Sequence, residues 1–239
     1  MDKTPLVSVI MPVYNAERFV KEAIKSILDQ TYVDFELIIV NDGSTDKSED
    51  IIKTVTDPRI RLISQSNAGI IGALNAGLKV AQGTYIARMD ADDISEPTRL
   101  EKQVAFLRGH PDIALCGTWA KTINDSGEET GIYDYPPTMH AKIKRAMLRY
   151  NPFIHPSVMF AKQAIEKVGP YRQGHKHAED YELWTRMVSQ FKTANIPEQL
   201  LRYRITSDSI TQRHGWAMIR KAAIVRILAF IRIWLKIPI

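Results

Sequence analysis

The chain has 239 residues, 45% of them hydrophobic and 25% charged, with a net charge of +5. This balance suits one sizeable α/β domain with a full core, and excludes a disordered chain or a multi-span membrane protein. A single cysteine, Cys116, excludes a disulfide framework within the chain and makes a reducing, cytoplasmic home the expectation.

In chain order, residues 6–11 form a short β-branched apolar run that predicts a strand buried on both faces. The residues before it lack the basic head and long apolar centre of a signal peptide. Asn15 is a suitable N-cap for a helix in which Phe19, Val20, Ala23, Ile24, Ile27 and Leu28 recur at helical spacing through Gln30. A second strand over 35–40 runs into the turn Asn41-Asp42-Gly43-Ser44 and a helix over about 46–55. A third strand follows at 60–63, a third helix at 72–80 and a fourth strand at 84–89. Strands alternating with helices at this spacing imply a mostly parallel sheet with right-handed crossovers, in which ligands bind beyond the carboxyl ends of the strands.

The fourth strand runs directly into Asp90-Ala91-Asp92-Asp93. If the chain is still extended there, its two-residue period puts the Asp90 and Asp92 side chains on one side, where a divalent cation would grip a phosphate. Acidic residues are also common in loops that only cap and solvate a helix. Tyr14-Asn15 and Asn41-Asp42-Gly43-Ser44 fall at strand carboxyl ends on the same expected edge, which favours the binding site.

Ser95-Glu96-Pro97 starts a further helix with Leu100, Val104, Phe106 and Leu107 as its buried stripe, followed by a strand over 113–119. Residues 120–137 are turn-rich, with Asn124-Asp125-Ser126-Gly127 as a hairpin turn. A helix over about 139–148 carries Lys142, Lys144 and Arg145 on a solvated face. His155 stands between Pro152 and Pro156 in an irregular connection before a strand over 158–160 and a helix over 162–168. Glu179-Asp180 then opens a helix whose buried side includes Leu183, Trp184, Met187 and Val188; the two acids would also suit the helix dipole.

These pieces together resemble glycosyltransferase family 2. The matching stretches are Val7-Ser8-Val9-Ile10-Met11-Pro12-Val13-Tyr14-Asn15, Val40-Asn41-Asp42-Gly43-Ser44-Thr45-Asp46, Asn67-Ala68-Gly69, Ala73-Leu74-Asn75-Ala76-Gly77, Asp90-Ala91-Asp92-Asp93 and Ala178-Glu179-Asp180-Tyr181-Glu182-Leu183-Trp184. The resemblance implies an α/β fold of GT-A type, with a mostly parallel central sheet flanked by helices and a Rossmann-like N-terminal nucleotide-binding half. It implies an inverting transfer from a nucleotide-sugar, UDP- or dTDP-linked, to a glycan or lipid-linked acceptor. Pro12, Tyr14, Asn15, Asp42, Asn67, Asp90, Ala91 and Asp92 would bind the donor nucleotide, with Tyr14 against the base and Asp42 on its edge. Asp90 and Asp92 would hold Mg²⁺ or Mn²⁺, and Asp180 would be the catalytic base. Glu179, Trp184, His155 and Arg204 are assigned to the acceptor or to support of the site. Two departures stand out: Leu74 replaces an arginine common in the family, and Thr206 replaces a histidine, a role that would pass to His175, His177 or His214.

Residues 1–214 are expected to form the transferase domain, the donor-binding half ending near 119. From Leu200 onward eight Lys or Arg stand against one acid, a net +7 within the chain's +5, which leaves −2 for the first 199 residues. The basic, apolar tail over 215–239 is too often interrupted by charge to span a bilayer, and would lie on an anionic membrane or pack on the domain or a second subunit. A non-catalytic binder with a degenerate transferase fold is the alternative function. A dinucleotide oxidoreductase lacks its Gly-x-Gly-x-x-Gly after the first strand, and a nucleic-acid role finds no basic patch outside the aliphatic tail.

Overall fold

The structure, a computed structural model, describes residues 5–206 and 215–237, with the side chains of 215–220 excepted. Its first half alternates β1 (Val7–Val13), α1 (Val20–Leu28), β2 (Phe35–Asp42), α2 (Ser48–Lys53), β3 (Ile60–Gln65), α3 (Gly69–Val80) and β4 (Tyr85–Arg88). Then follow β5 (Ile94–Ser95), α4 (Arg99–Gly109), β6 (Ile113–Ile123), β7 (Glu129–Tyr133) and α5 (His140–Ala146). A 3₁₀ turn at His155–Ser157 leads to β8 (Met159–Ala161), α6 (Lys162–Val168), α7 (Glu179–Gln190), β9 (Lys192–Arg204), α8 (Gly215–Ala229) and a π-helical turn at Phe230–Trp234.

One nine-stranded sheet runs β3-β2-β1-β4-β8-β6-β9-β5, with β7 on β6. The long ladders, β1 with β2, β2 with β3 and β6 with β9, are parallel, whereas β8 joins β4 and β6 by short antiparallel ones. Every residue of β1 is buried because both faces are covered. The two-residue period divides its side chains. Ile10, with Ile38 and Val40 of β2, packs under α3 and α7, and Val9 and Met11, with Leu37 and Ile39, pack under α1 and α4. Cys116 lies fully buried in the second of these cores.

Several expected boundaries move. The first strand runs on through Pro12, which pairs with Val40 at the strand's end where its missing N–H costs little. Asn15 does not cap α1, which starts at Val20 with Phe19 before it. Instead Asn15 adopts φ +50° and accepts from the Thr45 backbone N–H at 2.8 Å, tying the loop after β1 to the loop after β2. The turn-rich region after Ala120 contains β7, and the long strand β9 was hidden because its apolar residues are interrupted by Pro197, Glu198 and Gln199.

The tail packs on the domain by one side. Val225, Ala229 and Ile233 are buried in the core shared with α7, and Arg232 Nη1 donates to Glu182 at 2.9 Å. Glu182 also receives Arg186, an arrangement that keeps its buried carboxylate ionised. Ile224, Ile227, Phe230, Trp234 and Leu235 remain exposed on the other side. Among the described residues no helix is long and apolar enough to cross a membrane.

Candidate active site at the carboxyl edge of the sheet

β1, β2 and β4 deliver Tyr14, Asp42 and the acidic loop to one edge, as parallel pairing requires. Tyr14 is 53% exposed, free to offer its ring to a flat ligand. Asp42 is buried, and its Oδ1 accepts from Gln65 Nε2 at 2.6 Å and from the Ala68 backbone N–H at 2.9 Å. Gly43 makes this crossing possible: it holds φ +73°, and a Cβ there would lie 2.7 Å from the Asn67 backbone nitrogen. Asn67 itself is exposed beside this turn. Leu74 lies in the core, and its neighbour Asn75 grips the Tyr171 backbone through both N–H and C=O at 3.1 and 2.9 Å.

The strand ends before the acids, so they are not spread along an extended chain. Residues 90–93 turn, Ala91 is buried, and carboxylate oxygens of Asp90, Asp92 and Asp93 lie within 4.8 Å of one another. Such crowding is costly without a counter-charge. Burial first, then the Asp90 charge, lifts the Asp92 carboxyl to about 6. Burial and both neighbouring acids push Asp93 well above the usual carboxylate range. Asp93 is almost inaccessible and its Oδ2 has no hydrogen-bond partner among the described residues. Three hard oxygens, one of them orphaned, form a donor set that fits a hard divalent cation. The group contains no histidine among the described residues, and His214 lies outside them.

Arg204 braces this loop from β9. Its backbone N–H donates to Asp93 Oδ1 at 2.7 Å, Nε to the Asp92 carbonyl at 2.7 Å, and Nη1 and Nη2 to the Asn124 carbonyl and Glu22 at 2.8 and 2.7 Å. In Tyr203, the residue before it, burial and the charges of Asp93, Asp90 and Asp92 keep the hydroxyl strongly protonated. Arg88, buried at the end of β4, forks onto Asp90. Its carbonyl is held by Arg99 Nη2 at 3.2 Å, while Arg99 Nη1 holds the Pro156 carbonyl at 2.7 Å.

The second group of acids opens α7. Asp180 Oδ2 accepts from Asn151 Nδ2 at 2.6 Å, and His155 Nδ1 stands 4.0 Å from the same oxygen. Burial raises the Asp180 carboxyl, against the opposing pull of the Tyr181 N–H and the Arg88 charge. Glu179, whose buried Oε2 has no hydrogen-bond partner among the described residues, is lifted to about 7 by burial and then by Asp180. Burial and the Arg88 charge hold His155 well below its ordinary value, so the ring is neutral. The carboxylate near Nδ1 favours the proton there, leaving Nε2 to accept from the Tyr171 hydroxyl at 2.9 Å. Trp184 is fully buried with its ring edge-on to His155 at 5.9 Å, so it packs behind that ring.

The Arg88 charge acts on both groups, opposing protonation of Asp92 and Asp93 on one side and of Glu179 and Asp180 on the other. Asn151 and Tyr171 have no sequence signal of their own, since each acquires its role only through contacts with distant segments, and Arg88 beside Asp90 gives no sign of its reach to Glu179 and Asp180.

A model of the family "Glycosyl transferase family 2" matches residues 8–169. The chain is 38% identical over 218 residues to the O-antigen biosynthesis glycosyltransferase WbnJ of Escherichia coli, covering 89% of this chain and 84% of that protein. S. aureus TarS, crystallised with UDP-GlcNAc, superposes with a TM-score of 0.72 at 19% identity over 92% of this chain and 66% of its own, so this chain spans about two thirds of TarS. The mannosyltransferase PcManGT of Pyrobaculum calidifontis, in complex with GDP-Man and Mn²⁺, superposes with a TM-score of 0.64 at 16% identity, over 100% of this chain and 77% of its own. The likeness to these structures shows a GT-A type fold, and the match in sequence shows that the chain belongs to glycosyl transferase family 2.

Proposed function

We propose that this glycosyltransferase moves a sugar, with inversion, from a UDP- or dTDP-linked donor to a hydroxyl of a glycan or lipid-linked acceptor, as in the making of bacterial surface polysaccharides. The observation that carries this reading is the meeting of two acidic groups across Arg88: a cation-type triad at residues 90–93 and a buried, positioned base at Asp180. The E. coli relative acts in O-antigen biosynthesis by its name, and TarS has been seen with UDP-GlcNAc.

In this reading Tyr14 faces the base and Asp42, with one oxygen committed to Gln65 and Ala68, offers the other to the base edge. Asp90, Asp92 and Asp93 would hold Mg²⁺ or Mn²⁺, the latter being the ion bound in PcManGT. The cation supplies neutralisation of the diphosphate. Asp180 accepts the acceptor hydroxyl proton as the oxygen bonds to the anomeric carbon. The bond from that carbon to the donor phosphate breaks, and the nucleoside diphosphate leaves with its electron pair. Asn151 keeps one Asp180 oxygen engaged, so the proton goes to a carboxylate of defined orientation. Membrane contact through the exposed residues of α8 would bring a lipid-linked acceptor to the site.

Asp180→Asn tests the reading. It is expected to abolish transfer while the chain is still stabilised thermally by the nucleotide-sugar that, screened with Mn²⁺, stabilises the unaltered protein. Unchanged turnover would remove Asp180 as the base.

A further inference from the structure

A line of four tyrosines that the chemistry above does not use is joined through the chain to both acidic groups. Tyr203 lies 5.9 Å from Tyr133, Tyr133 lies 5.6 Å from Tyr135, and Tyr135 lies 6.1 Å from Tyr150, measured between ring centroids. Both ends are tied to the site. Tyr203 precedes Arg204, which holds Asp92 and Asp93, and Tyr150 precedes Asn151, which holds Asp180. The Tyr150 end of the line is open, with Tyr135 59% and Tyr150 39% exposed, while Tyr133 and Tyr203 are half-buried.

The backbone under these rings is stapled. Trp119 Nε1 donates to the Pro136 carbonyl at 3.1 Å, and Asn195 Nδ2 donates both to the Pro137 carbonyl at 2.8 Å and to the Pro152 carbonyl at 3.0 Å. One amide therefore joins the segment carrying Tyr135 to the segment carrying Tyr150. Gly117 leaves room for it, since a Cβ there would lie 2.2 Å from Asn195 Oδ1. Exposed aromatic rings on a fixed backbone are a surface prepared for a ligand, because little side-chain freedom is lost on binding.

We propose that this tyrosine line is the acceptor subsite and that it takes the sugar rings of an oligosaccharide. Sugar rings have apolar C–H faces rimmed by hydroxyls, which match the ring face and phenolic rim of tyrosine. Successive tyrosines are turned by 45°, 83° and 68°, a stepped wall suited to a chain whose rings turn along its length and unsuited to a parallel stack of nucleobases. Asp134, exposed between Tyr133 and Tyr135, also disfavours a polyanion. The assignment rests on the glycosyl-transfer reading for its place beside Asp180. It narrows the acceptor to a glycan already carrying several sugars.

The test uses an array of defined short oligosaccharides printed beside their monosaccharides, probed with the unaltered chain and with Tyr135→Ala, Tyr150→Ala and Tyr135→Trp, each checked for an unchanged unfolding temperature. The expected result is retention on one or more oligosaccharides over the monosaccharides. The alanine variants should weaken it about tenfold or more and the tryptophan variant should preserve it, with stabilisation by nucleotide-sugar and Mn²⁺ the same in all. No oligosaccharide binding by the unaltered chain, or equal binding by the alanine variants, overturns the subsite. If no nucleotide-sugar stabilises the unaltered chain, the transfer reading fails instead, and the array still decides whether the tyrosines hold sugar.

Discussion

Asn151 donates its side-chain amide to Asp180 Oδ2 at 2.6 Å, while Asn151 Oδ1 accepts from the Phe153 N–H at 3.2 Å and so fixes which end of the amide faces the carboxylate. Asn151→Ala leaves the base in place, with Oδ1 still accepting from the Tyr181 N–H, and removes the contact that orients Oδ2. Turnover is expected to fall by roughly ten- to a hundredfold with nucleotide-sugar binding unchanged, against the roughly hundred- to ten-thousandfold loss for Asp180→Asn. Because Asp180 must be ionised and its carboxyl is raised, turnover of the unaltered enzyme should fall as pH drops through that raised value. A kcat profile against pH for the three proteins checks this.

Glu179 links pH to stability with a defined sign. Its carboxyl is near 4.5 in the unfolded chain and about 7 when folded. The folded state therefore binds more protons between these values, and its stability declines as pH rises from 4.5 to 7. Glu179→Gln removes the penalty. Relative to the unaltered protein it should gain on the order of 1–3 kcal/mol at pH 8 and little at pH 4.5, read from urea midpoints.

The acidic loop is predicted to depend on its cation and on pH together. Asp92→Ala should weaken Mn²⁺-dependent nucleotide binding by about a hundredfold in calorimetry, and chelator should do the same to the unaltered protein. Since Asp92 sits at about 6 in the free protein, metal affinity should fall as pH drops below that value.

Arg204 offers a separation of architecture from chemistry. Arg204→Ala removes donors to Asp92, Asn124 and Glu22 from a buried position and should cost roughly 2–4 kcal/mol in thermal unfolding. Its loss of activity should appear as weakened metal binding, because the backbone of the acidic loop loses its support.

In the tail, Arg232→Ala leaves Glu182 with Arg186 but strips the Nη1 contacts to Glu182 and Thr185. Destabilisation of about 2–4 kcal/mol is expected, with Arg232→Met costing less because it keeps the packing. Equal unfolding midpoints for all three would show that the π-helical turn at Phe230–Trp234 does not brace α7.

Period and order in the sequence were enough to determine the parallel β/α half and the sheet edge to which its turns bring Tyr14, Asp42 and the acidic loop. Buried β-branched runs and the turns after them are local properties, and a parallel sheet leaves few alternatives for where those turns go. Tertiary structure alone decided the rest. It turned Asn15 from a helix cap into a bridge between loops, made Trp184 a wall behind His155, and placed Arg204 under the acids. It also brought Asn151 to Asp180 and aligned four tyrosines from β7, β9 and the segments after β7 and α5. These depend on distances between residues as much as 182 apart in the chain. A carboxylate announces its chemistry by type, whereas an amide, a guanidinium or a phenol takes its role from what the fold sets beside it.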